Sequence, residues 1–169
     1  MLIFNPTTRL SKHFTMAEVA RSDTATRLRI DNTPTPIVLE AAKLLAVNVL
    51  EPIRIHFGIP FAPTSWYRGD KLERAINDVS CRQWCARLGI RVSASAWKKY
   101  LAKKSHPKGE AADIEIPGIP NDELFSWIKK NVSQYDQLIR EFPRPGDAAS
   151  GWVHVSFSAN NRKQDFVIN

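Results

Sequence analysis

His106-Pro107-Lys108-Gly109-Glu110-Ala111-Ala112-Asp113 is the stretch on which the reading of this chain turns. Residues 110–116 predict a strand, and successive side chains of a strand point to opposite faces. Ala112, Ile114 and Ile116 therefore take one face, while Ala111, Asp113 and Glu115 take the other. His106 stands upstream of Asp113 with Gly109 between them. Glycine adopts backbone conformations closed to other residues, so this link can fold back and bring His106 to the start of the strand.

The same alternation recurs downstream. In 152–157, Val153, Val155 and Phe157 share one face, and Trp152, His154 and Ser156 share the other. If both apolar faces cover helices, Asp113 and His154 look out together on the open side of one sheet. Two imidazoles and a carboxylate, with a fourth position left for water, form a common catalytic zinc set. Read from spacing alone, three scattered residues of these types are more often structural than metal ligands, and the helical H-E-x-x-H motif of many zinc peptidases is absent.

Outward from these strands, residues 61–67 and 137–142 also read as strands, with a Pro- and Gly-containing loop at 143–151. Thr35-Pro36 predicts a helix start, with Thr as cap and Pro in the first turn. Val38, Ala41, Ala42, Leu45 and Val49 follow at helical spacing, and Pro52 should end or kink that helix. A short helix is expected around 16–21, with Phe14 and Met16 as anchors. Further helices are expected at 69–78, 80–88 and 94–103, and one capped by Asn121. The sum is an α+β fold: one domain over 1–169, a small, mainly antiparallel sheet, and helices packed on one face.

The 169 residues carry a formal charge of +7, which favours an anionic partner without choosing among nucleic acid, a membrane surface and a wall polymer. The basic residues read as spread along the chain, with short clusters at Lys98-Lys99 and Lys103-Lys104. A nucleic-acid arm would be more concentrated. Cys81 and Cys85, four apart in a helical stretch, suit a helix–helix contact better than a disulfide or a second metal site. The start shows no secretory pattern and no apolar run is long enough to span a bilayer. The expectation is synthesis in the cytoplasm without a signal peptide and no membrane insertion.

The string His106-x-x-Gly109-x-Ala111-x-Asp113 resembles the H-x-x-G-x-A-x-D motif of the zinc D-alanyl-D-alanine carboxypeptidases and L-alanyl-D-glutamate endopeptidases of peptidoglycan, whose fold is shared with the Hedgehog signalling domain. Trp152-Val153-His154 resembles that family's second signature, W-x-H. Thr64-Ser65-Trp66-Tyr67-Arg68 resembles a third, T-S-x-Y-R. The order and approximate spacing of all three match over residues 64–157. The stretch from Leu10 to Glu18, with Ser22 to Asn32, is similar to phage-type members.

The resemblance implies a Hedgehog/DD-peptidase-like catalytic domain in which His106, Asp113 and His154 hold one zinc ion. It implies an acidic base, for which Glu141 is the best candidate and Asp147 the fallback. It implies that Arg68 faces the substrate and steadies the oxyanion. The expected enzyme is a monomeric zinc metallopeptidase with peptidoglycan as its partner and no nucleic acid. It would be a phage or prophage lysis enzyme reaching the wall after release, in the host periplasm or on a virion. The alternative is a non-catalytic, zinc-stabilised wall-binding or virion structural protein of the same fold.

Two departures stand out. Lys104 occupies a position where the family usually has Ser, and the segment 71–104 is longer than in compact members. This insert, with both cysteines, Trp84 and Trp97, could form a wall of the substrate groove or an extra helical pair. His13 and His56 are not expected to be ligands, and Asp136 reads equally as a support for the site or a plain strand-start residue.

Overall fold

The computed structural model describes residues 2–169. Phe14 and Met16 anchor the N-terminal region in the core, both almost wholly buried. Two short helices follow: α1 (Met16–Ala20), with the Glu18 carboxylate accepting from the Thr15 amide, and α2 (Asp23–Leu28).

Helix α3 (Pro36–Leu45) starts where Thr35-Pro36 predicts, with Thr35 Oγ1 accepting from Val38 N. Pro52 does not end the helix. Residues Ala46–Leu50 form a π-helical turn and α4 (Glu51–Phe57) continues the same rod. A proline lacks the amide hydrogen and crowds the carbonyl four residues back. The widened turn, in which Glu51 N reaches Ala46 O, accommodates that defect while keeping Val49, Leu50 and Ile53 fully buried.

The sheet has strand order β1-β3-β2-β4, with β1 Ala111–Ile114, β2 Gln137–Glu141, β3 Trp152–Ser156 and β4 Gln164–Ile168. β1 and β2 both pair antiparallel with β3, in line with the mainly antiparallel sheet expected, but β4 lies parallel to β2 and makes the sheet mixed. The expected strand at 61–67 does not form. Only Ser65 bridges to Asp113, with Asp113 N donating to Ser65 O at 2.8 Å. Pro60 and Pro63 remove the donors that a longer ladder needs.

One face of the sheet presents Ala112, Ile114, Leu138, Val153 and Val155 to the rod of α3 and α4 and to α7 (Asn121–Asn131), and these form one buried core. Asn121 is not the cap of α7, since Pro120 holds that place. Its buried side-chain amide instead donates to the carbonyls of Ala149 and Gly151 at 2.7 and 2.9 Å.

The helices expected at 69–78 and 80–88 are two helical stretches joined at Asn77, whose φ of −109° and ψ of 18° are not helical, and together they make α5 (Asp70–Arg87). With α6 (Ala94–Leu101) it forms a hairpin around a second apolar cluster of Cys81, Cys85, Ala96, Trp97, Tyr100 and Leu101. Both thiols are free and buried in that helix–helix contact. Helices therefore do not occupy one face alone, because α5 borders the cavity over the sheet's other face. Residues 71–104 thus form a helical pair that also borders this cavity. Among the described residues no helix is long and apolar enough to cross a membrane.

Candidate metal centre

Register puts the polar residues together. Asp113 on β1 lies directly opposite His154 on β3, and His154 lies opposite Ile139 on β2. Glu141 pairs with Trp152, so by the two-residue period its side chain shares the His154 face. His106 arrives from a 3-10 turn, His106–Lys108, that Gly109 closes with φ +76°. Gly109 has no room for a side chain: a Cβ there would stand 2.6 Å from Val38 O.

His106, Asp113 and His154 are all buried and offer ligand atoms within 4.8 Å of one another. His106 Nδ1 donates to Trp66 O at 2.6 Å, which fixes the tautomer and leaves Nε2 facing Asp113 Oδ1 at 3.2 Å. His154 turns Nδ1 to the same oxygen at 2.9 Å. Two ring nitrogens and Oδ1 thus gather within 4.8 Å of one another.

The electrostatics suit a cation. Burial pushes His106 below the ordinary histidine range, against the pull of Asp113, and so favours the neutral ring. Burial alone would raise Asp113, yet His106 and His154 hold its carboxyl well below the usual range. Neutral imidazole and ionised carboxylate are the protonation states a metal requires of its ligands. These three residues can hold a metal ion.

The supporting contacts are specific. Asp113 keeps Oδ1 for the histidines and gives Oδ2 to Arg68 Nη2, while Arg68 Nε donates to Ser65 Oγ at 2.8 Å. Arg68 Nη1 lies 3.9 Å from Glu73 Oε2 on α5. Glu73 is 1% exposed and that oxygen has no hydrogen-bond partner among the described residues. Its adjacency to Arg68 was not legible in the sequence, because the chain returns to the site through a helix.

Glu141 places Oε1 4.0 Å from His154 Nδ1. Burial raises its carboxyl above the ordinary glutamate value, with His154 opposing the shift. Arg140, buried beside it, donates to the carbonyls of Ser150 and Trp152 and pairs with Asp122, pinning the 143–151 loop that turns β2 into β3.

Asp147 is elsewhere, in that loop and paired with Arg144 at 2.7 Å. His13 binds Glu51 at 2.6 Å, and His56 stacks on Trp127 with centroids 4.2 Å apart. Asp136 is held by Arg162 rather than by any site residue. Lys104 puts its ammonium 4.8 Å from the Tyr100 ring centroid.

The three clustered residues, Glu141, Arg68, Glu73 and Trp152 line a single cavity of about 860 Å³. No family model, curated protein or solved structure matches the chain. What the molecule itself supplies is a buried His–Asp–His cluster at the floor of that cavity, able to hold a metal ion and flanked by a carboxylate with a raised pKa.

Proposed function

We propose that this chain is a zinc-dependent peptidase that cuts peptide bonds in the peptidoglycan stem, acting as a phage or prophage lysis enzyme. The observation that carries the reading is the convergence of His106, Asp113 and His154 in one cavity with Glu141 beside them. The motif resemblance over residues 64–157 supports it, since the residues it marks as ligands are the ones the fold gathers.

His106 would hold the ion through Nε2, His154 through Nδ1 and Asp113 through Oδ1. Two imidazoles and a carboxylate favour zinc over harder cations. Zinc at such a site supplies Lewis acidity, lowering the pKa of water and polarising a carbonyl. Glu141 takes the proton from the attacking water and hands it to the leaving amine. The raised pKa fits that duty, since a base working near neutrality must also be able to give its proton back. Arg68 keeps a permanent positive charge beside the developing oxyanion while bracing Asp113.

The deciding experiment is digestion of purified peptidoglycan by the wild type and by Glu141→Gln, with bound zinc quantified in both. The reading expects the variant to keep zinc and lose cleavage by about 10²-fold or more. A wild type that binds zinc and cuts nothing would sink it in favour of a non-catalytic, zinc-stabilised wall-binding or virion protein.

A further inference from the structure

The positive charge of this molecule is not spread along it. Residues 70–104, the α5–α6 hairpin and the link to His106, hold nine Lys or Arg against three Asp or Glu. That is a net +6 out of the chain's +7, and the rest of the protein is close to neutral. The even distribution inferred from sequence is corrected by this count over one continuous stretch; folding adds that α5 and α6 pair and carry the charges on one hairpin.

Arg82, Arg87, Arg91, Lys98, Lys99 and Lys103 are exposed. Arg82 pairs with Asp78 at 2.7 Å. Among the described residues, Arg87, Arg91, Lys98 and Lys99 lie in no ion pair. Arg74, Lys103 and Lys104 sit over the Trp97, Trp84 and Tyr100 rings, whereas the like charges of Arg87, Arg91, Lys98 and Lys99, crowded on a two-helix projection, repel one another in the folded state. The hairpin is also placed to matter, since Lys103 and Lys104 stand in the wall of the cavity that holds His106, Asp113, His154 and Glu141. Positive charge is therefore carried both on the outside of the hairpin and in the wall of the cavity.

We propose that the α5–α6 hairpin is a docking surface for the peptidoglycan strand itself, a polyanion through the repeated carboxylates of its stem peptides. This inference rests on the peptidase reading, because it takes the polymer held by the hairpin and the polymer cut in the cavity to be one molecule. The place of Lys103 and Lys104 at the end of the hairpin and in the cavity wall favours that occupant over a nucleic acid or a lipid surface, neither of which would have reason to reach His106, Asp113 and His154. The hairpin thus gives the domain its own means of staying on an insoluble substrate.

The test is co-sedimentation of the full chain with purified sacculi, using Glu141→Gln so that the polymer survives, against the same protein carrying Arg87→Gln, Arg91→Gln, Lys98→Gln and Lys99→Gln. The fourfold variant should bind on the order of tenfold more weakly, and salt at about 0.5 M should release the parent. A matching thermal transition confirms that the variant is folded, and the parent's salt response stands even if it is not.

Equal binding by both proteins, salt-insensitive binding, or equally tight binding of the parent to DNA or to anionic vesicles would overturn the inference. Cleavage of a soluble stem peptide by the wild type separates the two claims. If the peptide is cut while the substitutions leave sacculus binding unchanged, only the docking surface is wrong. If binding falls as expected and the peptide is not cut, the docking surface stands and the peptidase reading fails.

Discussion

Asp113 and His154 face each other across the β1–β3 pair, and His154 Nδ1 lies 2.9 Å from Asp113 Oδ1. Ligands on paired positions of a buried sheet need no rearrangement to meet an ion, so binding should stabilise the fold directly. Zinc held at a hundredfold over its Kd should add about 2.7 kcal/mol, a rise in Tm of about 5–10 °C. Differential scanning calorimetry with zinc and after chelation checks this. Asp113→Ala should show no zinc-dependent shift.

Arg68 donates to the Asp113 oxygen that the histidines do not use. An arginine whose only work was at the oxyanion would leave metal affinity untouched when removed. Arg68→Ala should instead weaken zinc binding about 10- to 100-fold, as loss of a partner that orients a ligand generally does. A competition titration against a chromogenic chelator measures it.

Gly109 combines a φ of +76° with a Cβ position 2.6 Å from Val38 O. Gly109→Ala should cost about 1–3 kcal/mol, from strain in the left-handed region and from pushing the turn off α3. Because that turn carries His106, zinc affinity should fall with stability. Denaturant unfolding and the chelator titration, run on the same protein, should move together.

Asp136 receives Arg162 through Nε and Nη2 at 2.9 and 2.6 Å, which holds its carboxyl below the ordinary aspartate range. A depressed folded pKa means that the stabilisation is complete above the unfolded value and is lost as pH falls toward the folded one. Arg162 is partly exposed, so solvent screening limits the contribution. Asp136→Asn should cost about 1 kcal/mol at neutral pH, and wild type and variant should converge as pH drops below the ordinary aspartate range. Urea unfolding across that range shows whether they do.

The parts of this molecule legible in the sequence are those governed by local rules. Strand periodicity placed Asp113 and His154 on one open face. Gly109 announced the fold-back that delivers His106, and Thr35-Pro36 marked the start of α3. What escaped depends on partners distant in the chain. β4, Gln164–Ile168, ends in the β-prone run Phe166-Val167-Ile168 but is mostly exposed and too short to show an alternation, and it is a strand because β2 offers a free edge. The π-helical turn ahead of Pro52 is set by burial of Val49, Leu50 and Ile53, which rewards continuing the rod over breaking it. Asn121 looked like a helix cap, yet it serves three carbonyls of a loop beyond residue 148. Glu73 could be seen only once α5 had folded back over Arg68.

The central position of β3 has a consequence for how the protein is born. Both β1 and β2 hydrogen-bond to β3, which begins at residue 152. A nascent chain on the ribosome can form α3, α4, α5 and α6 from local contacts, but it has neither a sheet nor its third ligand until that strand has emerged. The cluster able to hold an ion is therefore completed late, and a chain cut short before β3 has His106 and Asp113 without His154.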